Sequence, residues 1–156
     1  MEAERLIATG RRALADSRVA LDIVAEAWQA QMLAQAIGSH LALSGPPELR
    51  VEARGLSEIG SRGGAGPDHL ARALRLSGIG NVRAALLGLG ALLGEVGIAL
   101  VGVACATDEE GLYWQCIEAI DAADEAGDRV RVMLRRLAVR ERARPPDPAD
   151  SWATPP

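Results

Sequence analysis

The stretch VRAALLGLGALLGEVGIALVGVACA, residues 82–106, decides the fold of this chain. From Ala84 to Ala106 it holds 23 residues with one charge, Glu95, which is long enough to cross a bilayer. On an insertion scale its Leu, Ile and Val residues contribute about −3 to −6 kcal/mol together, and a central acid costs about 3 kcal/mol. The five glycines of the stretch contribute no insertion free energy, so the total free energy of insertion is near zero. Composition alone is therefore compatible with both a membrane span and a buried helix.

The flanking segments favour a buried helix in a bundle. Residues 3–43 carry two apolar stripes at spacings of three, four and seven, which predict one long or gently kinked helix, with "ADS" at 15–17 as the alternative break. A helix that starts at Thr107 or Asp108 carries a heptad-like apolar seam. These stripes need a partner, and an apolar helix is what they surround in a bundle. We therefore expect residues 82–106 to form its buried axis.

The composition agrees with an all-α fold. Hydrophobic residues make up 49% of the 156 residues, but aromatic residues make up only 3% and Phe is absent. A core of Leu, Ile, Val and Ala favours helices over a pleated sheet. We predict a single helical-bundle domain over residues 1–143, with three long helices and two short ones at 47–59 and 67–77 that are joined by a Gly-rich loop at 60–67. The residues predicted to face inward are Leu49, Ala53, Leu56 and Ile59 in the first short helix, and Leu70, Ala73, Leu74 and Ser77 in the second. The Pro-rich residues 144–156 are predicted to be a disordered tail.

Charge and targeting signals restrict the partners and the compartment. All basic residues are arginine and the net charge is −4, which argues against nucleic acid because phosphate is met with clustered positive charge. The N-terminus lacks the apolar block of an export signal, so a cytoplasmic location is expected. Cys105 and Cys116 lie at different depths below the turn that joins the last two helices, which predicts two buried thiols and no disulfide.

Glu95 is the strongest candidate for a site residue. An antiparallel hairpin of the last two helices brings Glu95 within one turn of Asp124, which lies beside Arg131. Two interior carboxylates can share a proton or a cation, which suggests a ligand site formed by Glu95, Asp124 and Arg131. The alternative is a structural contact of Glu95 with an arginine or with the glutamines of residues 29–35. No cofactor is expected, and no histidine or cysteine stands at metal-ligand spacing, so no metal is expected either.

A strip of small residues suggests close helix packing. Gly90, Gly94 and Gly97 share one face of the apolar helix, and each glycine costs about 1 kcal/mol in a helix relative to alanine. The expected counterpart is the alanine stripe of the first long helix, Ala27, Ala30 and Ala34. If the strip is close-packed, Gly94→Leu lowers the melting temperature sharply by overpacking.

The segment EAWQAQMLAQAIGSHLALSGPPELRVEARGLSEIGSRGG, residues 26–64, resembles a family of small alanine-rich helical proteins of unknown function from streptomycetes and related actinobacteria. The likeness extends over most of the chain, to about residue 143. The family has no assigned activity, cofactor or catalytic residue, so the resemblance transfers no site. It implies a bacterial, cytoplasmic protein.

No catalytic motif is present, and the first functional expectation is therefore a non-enzymatic interaction or scaffold protein. Its partner is another protein or a second copy in a homodimer. The alternative is a ligand-binding or regulatory bundle with an interior pocket around Glu95. A further alternative is a membrane-associated protein that uses residues 84–106 as its span.

Overall fold

The computed structural model describes residues 1–59 and 71–143. These residues confirm the all-α prediction: they contain no strand, only one isolated bridge between Glu2 and Gly78. Buried hydrophobic residues from every α-helix join in one core. The helices are α1 (Ala3–Asp16), α2 (Ala20–Ser44), α3 (Arg50–Ile59), α4 (Val82–Ala106) and α5 (Glu110–Ala143).

The prediction of one helix over residues 3–43 is wrong, because the chain breaks between α1 and α2. Ser17 and Val19 both have extended backbone conformations, and the amide of Ser17 donates to the carbonyl oxygen of Leu14. The hydroxyl of Ser17 donates to the carbonyl oxygen of Ala13 at 2.8 Å, the local bonding that makes serine favour helix ends. The "ADS" segment therefore ends a helix, and the break lets α1 and α2 pack on each other and on α4.

The predicted bounds of α4 are confirmed, and the structure shows Asn81 as its N-cap. The side-chain oxygen of Asn81 accepts the amide hydrogen of Ala84 at 2.8 Å, which caps one of the free donors of the first turn. The expectation that α4 is buried all round is wrong. One face, which includes Leu86, Leu93 and Leu100, lies in the core, yet only 39% of the most apolar 18-residue window of α4 is buried.

Helices α4 and α5 form the predicted antiparallel hairpin. Arg83 near the start of α4 pairs with Glu141 near the end of α5, and Gly90 faces Val130. Of the apolar seam predicted on α5, the residues Cys116, Ala123, Val130 and Leu137 are buried. This hairpin is the frame against which α1, α2 and α3 pack.

The two predicted short helices have different outcomes. In the first, a 3₁₀ turn at Pro47–Leu49 leads into α3, and the predicted inward residues Leu49, Ala53, Leu56 and Ile59 are all buried. In the second, only a 3₁₀ turn at Arg72–Arg75 forms within the described residues. Leu74, predicted to face inward, is 70% exposed. The loop at 60–67, Leu70 and the tail from residue 144 lie outside the described residues.

Candidate functional site

Glu95 is not an interior group. Its carboxylate accepts three hydrogen bonds from the guanidinium of Arg11 on α1, at 3.1, 3.1 and 2.6 Å. The Glu95 side chain is 40% exposed and that of Arg11 is 46% exposed. The hydrogen bond that Arg11 donates to Glu95, together with the negative charge of that carboxylate, raises the pKa of Arg11 further above its ordinary value. The pairing with an arginine, one of the two predicted alternatives, is what the structure shows.

The three residues of the predicted ligand site do not come together. Glu95 faces α1, where Arg11, Ile98 and neighbouring residues line an open groove of about 800 Å³. Asp124 is exposed on α5. Arg131 is also exposed and pairs with Asp128 on its own helix, three residues earlier. The prediction of an interior site is therefore wrong. Two residues can lie within one helical turn of each other along the bundle axis and still face different sides of their helices.

The predicted close packing of glycine against alanine is also wrong. Ala27, Ala30 and Ala34 are buried as expected, but a Cβ built on Gly94 or Gly97 would meet no atom within 4 Å. A Cβ on Gly90 would touch only Val130 of α5, at 3.5 Å. The α4 side chains beside Ala27 are Leu93 and Val96, which line the same cavity. Helix α2 thus meets leucine and valine, and the overpacking expected for Gly94→Leu has no basis in the monomer.

Two other glycines do occupy close contacts. A Cβ on Gly38 of α2 would lie 2.8 Å from the carbonyl oxygen of Ala53 and 2.8 Å from the amide nitrogen of Ser57 on α3. A Cβ on Gly88 of α4 would lie 3.1 Å from Ile7 of α1. The close backbone approach is therefore between α2 and α3, at a glycine that the sequence pattern did not single out.

One face of α4, here called the outer face, has no partner among the described residues. Its members recur at spacings of three and four, and all are apolar or small: Ala84, Leu87, Ala91, Gly94, Ile98, Val101 and Cys105. Ala91 is half-buried and the other six are exposed, with Ile98 at 76%. The sequence contained a signal for the outer face, because the spacing of its residues is that of a helix–helix seam. However, a helix with two apolar faces does not reveal which of them packs in the core.

The cysteines and histidines of the described residues are not grouped in one site. Both cysteines are free, as predicted, but only Cys116 is buried, whereas Cys105 is exposed at the end of the outer face. Burial raises the pKa of the Cys116 thiol. His40 is half-buried near the end of α2, and His69 lies outside the described residues. Within residues 1–59 and 71–143, no three His, Cys, Asp or Glu residues are grouped so that they could hold a metal ion.

Comparison with known proteins places the chain in a family without assigning it an activity. A family model described as a family of unknown function, DUF6099, matches residues 1–136. The match covers most of the chain and confirms the resemblance to an uncharacterised family, while the actinobacterial source stays a prediction. No curated protein and no solved structure matches the chain.

Proposed function

We propose that this chain, which belongs to the DUF6099 family of unknown function, is a non-enzymatic helical interaction protein that forms a homodimer through the outer face of α4. The observation that carries the proposal is an exposed, wholly apolar row along one side of α4. Contiguous exposed apolar surface of this kind is typical of an interaction site.

The outer face is complementary in size to a second, antiparallel copy of itself. One register places Leu87 opposite the partner's Ile98, and Ala84 opposite the partner's Val101. The same register places Ala91 opposite the partner's Gly94, so that small residues face small residues at the centre and the two helices can approach closely. Glycines at positions 97 and 102 flank the row, and a Cβ at either position would meet no atom of the described residues within 4 Å, so they leave the approach unobstructed.

The charges beside the outer face favour a protein partner over lipid. The Arg11–Glu95 pair lies halfway along α4, next to Ile98 in the groove between α1 and α4. Arg83 and Glu141 form a second exposed pair near one end. Immersion of the face in hydrocarbon would take ionised groups out of water at high cost. A second copy would leave the same groups at the solvated rim of the interface, where charges are tolerated.

The dimer is expected to be weak. At 1.5 Å per residue the 25 residues of α4 extend about 37 Å. A seam about 10 Å wide, the diameter of a helix, then covers about 370 Å² per copy. A standard interface buries about 800 Å² per partner, so the flanks on α1 and α5 must contribute, and association is expected only at micromolar concentrations or above.

Sedimentation of the full chain over a wide concentration range tests the proposal. Wild type is expected to shift from monomer to dimer, and Ile98→Arg is expected to stay monomeric with an unchanged helical circular-dichroism signal. The matched control is Leu43→Arg, since Leu43 is 85% exposed at the end of α2 and lies away from the outer face. This control is expected to dimerise like wild type.

Three outcomes would overturn the dimer. Wild type could remain monomeric at millimolar concentration, or Ile98→Arg could dimerise as well as wild type does. The third outcome is binding to phosphatidylcholine vesicles, abolished by Ile98→Arg but retained by Leu43→Arg, without dimerisation in solution. That result would assign the outer face to a membrane.

A further inference from the structure

A second feature lies on the opposite side of α4 from the outer face: a cavity of about 450 Å³ between α2, α4 and α5, which we call the α2–α5 cavity. Its floor is formed by Leu93 and Val96 of α4, which are 3% and 2% exposed, and Ile59 at the end of α3 lies at its edge. The cavity therefore reaches the hydrophobic core. Its volume is in the range of small-molecule sites, about 300–1,000 Å³.

One buried polar group lines this cavity without a partner. Gln31 of α2 is 9% exposed. It is the only polar residue that is buried among those that the structure describes. Its amide nitrogen Nε2 has less than 1 Å² of exposed surface and no hydrogen-bond acceptor within the described part of the chain. Such a donor has lost its bonds to water without replacement, which disfavours the folded state. A ligand with an acceptor atom in the cavity would restore the missing hydrogen bond.

The mouth of the cavity is acidic. Glu118, Asp121 and Glu125 of α5 line it at spacings of three and four, and all three are exposed. The described residues provide no ion pair to any of them, and no arginine is part of the lining. The charge of Glu125 contributes to the raised pKa of Arg129, but the Arg129 guanidinium donates its hydrogen bond to Glu52, at 2.9 Å. Glu118 and Asp121, with Glu125 beside them, make the mouth attractive to a cation.

Trp28 supplies the last element of the site. It is half-buried on α2, one turn from Gln31, and its side chain lines the same cavity. An indole ring offers apolar contact and attracts organic cations through its π face. The lining thus combines an apolar floor, one unpaired hydrogen-bond donor, an aromatic wall and a negative mouth.

We propose that the α2–α5 cavity binds an amphipathic organic cation. The ammonium group lies among Glu118, Asp121 and Glu125, the apolar body lies against Leu93 and Val96, and a carbonyl or ether oxygen accepts the Gln31 Nε2 hydrogen. The cavity shares no residue with the outer face of α4, so this site does not depend on dimerisation and its failure would leave the dimer intact.

Benzoylcholine is a suitable probe because it combines a quaternary ammonium group, a phenyl ring and an ester carbonyl. Ethyl benzoate has the same benzoyl ester without the charge and serves as the neutral counterpart. Binding is measured by calorimetry and by Trp28 fluorescence in a chain that carries Trp114→Phe and Trp152→Phe. We expect benzoylcholine to bind at least about tenfold more tightly than ethyl benzoate, the factor of one charge-assisted contact.

Two pairs of variants separate the site from general effects. Gln31→Leu is expected to weaken benzoylcholine binding about tenfold while the melting temperature rises, because the unpaired donor is removed. Gln35→Leu, one turn further along α2 and outside the lining, is the control. The triple variant Glu118→Gln, Asp121→Asn and Glu125→Gln is expected to abolish the preference for benzoylcholine over ethyl benzoate, whereas the control Asp124→Asn keeps it.

The proposal is overturned if benzoylcholine shows no saturable binding up to millimolar concentration. In that case water alone satisfies Gln31. It is also overturned if Gln31→Leu and Gln35→Leu bind benzoylcholine as wild type does, or if the acidic triple variant keeps the full preference for the cation. Either result would mean that the probe binds elsewhere.

Discussion

The contact between α2 and α3 at Gly38 leads to a prediction whose magnitude follows from the structure. In Gly38→Ala the new Cβ would lie 2.8 Å from both Ala53 O and Ser57 N. These are backbone atoms, so α3 must shift as a unit, and overpacking of this kind costs about 1–3 kcal/mol. Replacing glycine by alanine in a helix gains about 1 kcal/mol. Because backbone cannot rotate away, the cost lies in the upper part of that range, about 2–3 kcal/mol, and the net loss is expected to be about 1–2 kcal/mol.

Gly127→Ala on α5 is the matched comparison. It makes the same chemical change inside a helix, but a Cβ there would meet no atom within 4 Å, so only the gain of about 1 kcal/mol remains. A change of 1 kcal/mol moves the melting temperature by about 2–4 °C in a chain of this size. Thermal unfolding followed by circular dichroism should therefore show Gly38→Ala about 2–8 °C below wild type and Gly127→Ala about 2–4 °C above it.

This reasoning fails if both alanine variants melt above wild type. Equal stabilisation would mean that α3 does not approach the backbone of α2 at Gly38. If neither variant is more stable than wild type, the gain in helix propensity at Gly127 is offset by a contact that the structure does not contain.

Three further predictions concern single side chains. Asn81→Ala removes the cap of α4 and is expected to lower the free energy of unfolding by about 1 kcal/mol in urea titrations; Asn81→Ser, which keeps a capping oxygen, should restore most of it. Glu95→Gln is expected to leave the melting temperature unchanged within replicate scatter at high salt, because its partner Arg11 is exposed and such pairs are screened; a large loss of stability would contradict the exposed geometry. Cys105 is expected to react rapidly with a thiol reagent and Cys116 only on unfolding, since Cys116 is fully buried and its pKa is raised. The raised pKa disfavours the folded thiolate, so the free energy of unfolding should fall as the pH rises above the ordinary thiol pKa, and Cys116→Ala should remove that part of the decline.

Local sequence signals predicted the helices well where a helix end or period depends on neighbouring residues alone. Asn81 starts α4 through its own side chain, and the apolar spacing of α3 places Leu49, Ala53, Leu56 and Ile59 in the core. The break at Ser17 was also marked locally, but the in-phase stripes of α1 and α2 outweighed it.

Glu95 and Gln31 show where sequence reasoning on the candidate site fails. The sequence made Glu95 conspicuous, because it is the charge in an apolar helix, yet on a helix with two apolar faces the acid lies between them and reaches water and Arg11. The sequence pointed to Gln31 only as one of the glutamines that could contact Glu95. Its importance comes from the absence of an acceptor for its Nε2 among the described residues, and that depends on every helix packed around it.

The sequence by itself determined that this chain is helical, that α4 is continuous from residue 82 to residue 106, and that the chain belongs to a family of unknown function. The helical fold and the bounds of α4 follow from propensity, capping and periodicity, which act within a few residues, and the family follows from similarity over residues 1–136. Tertiary structure alone decided which face of α4 enters the core and which stays exposed, which glycine admits a neighbouring backbone, and where a cavity with an unpaired donor forms. Those outcomes depend on contacts between residues far apart in the chain, and no local period encodes them.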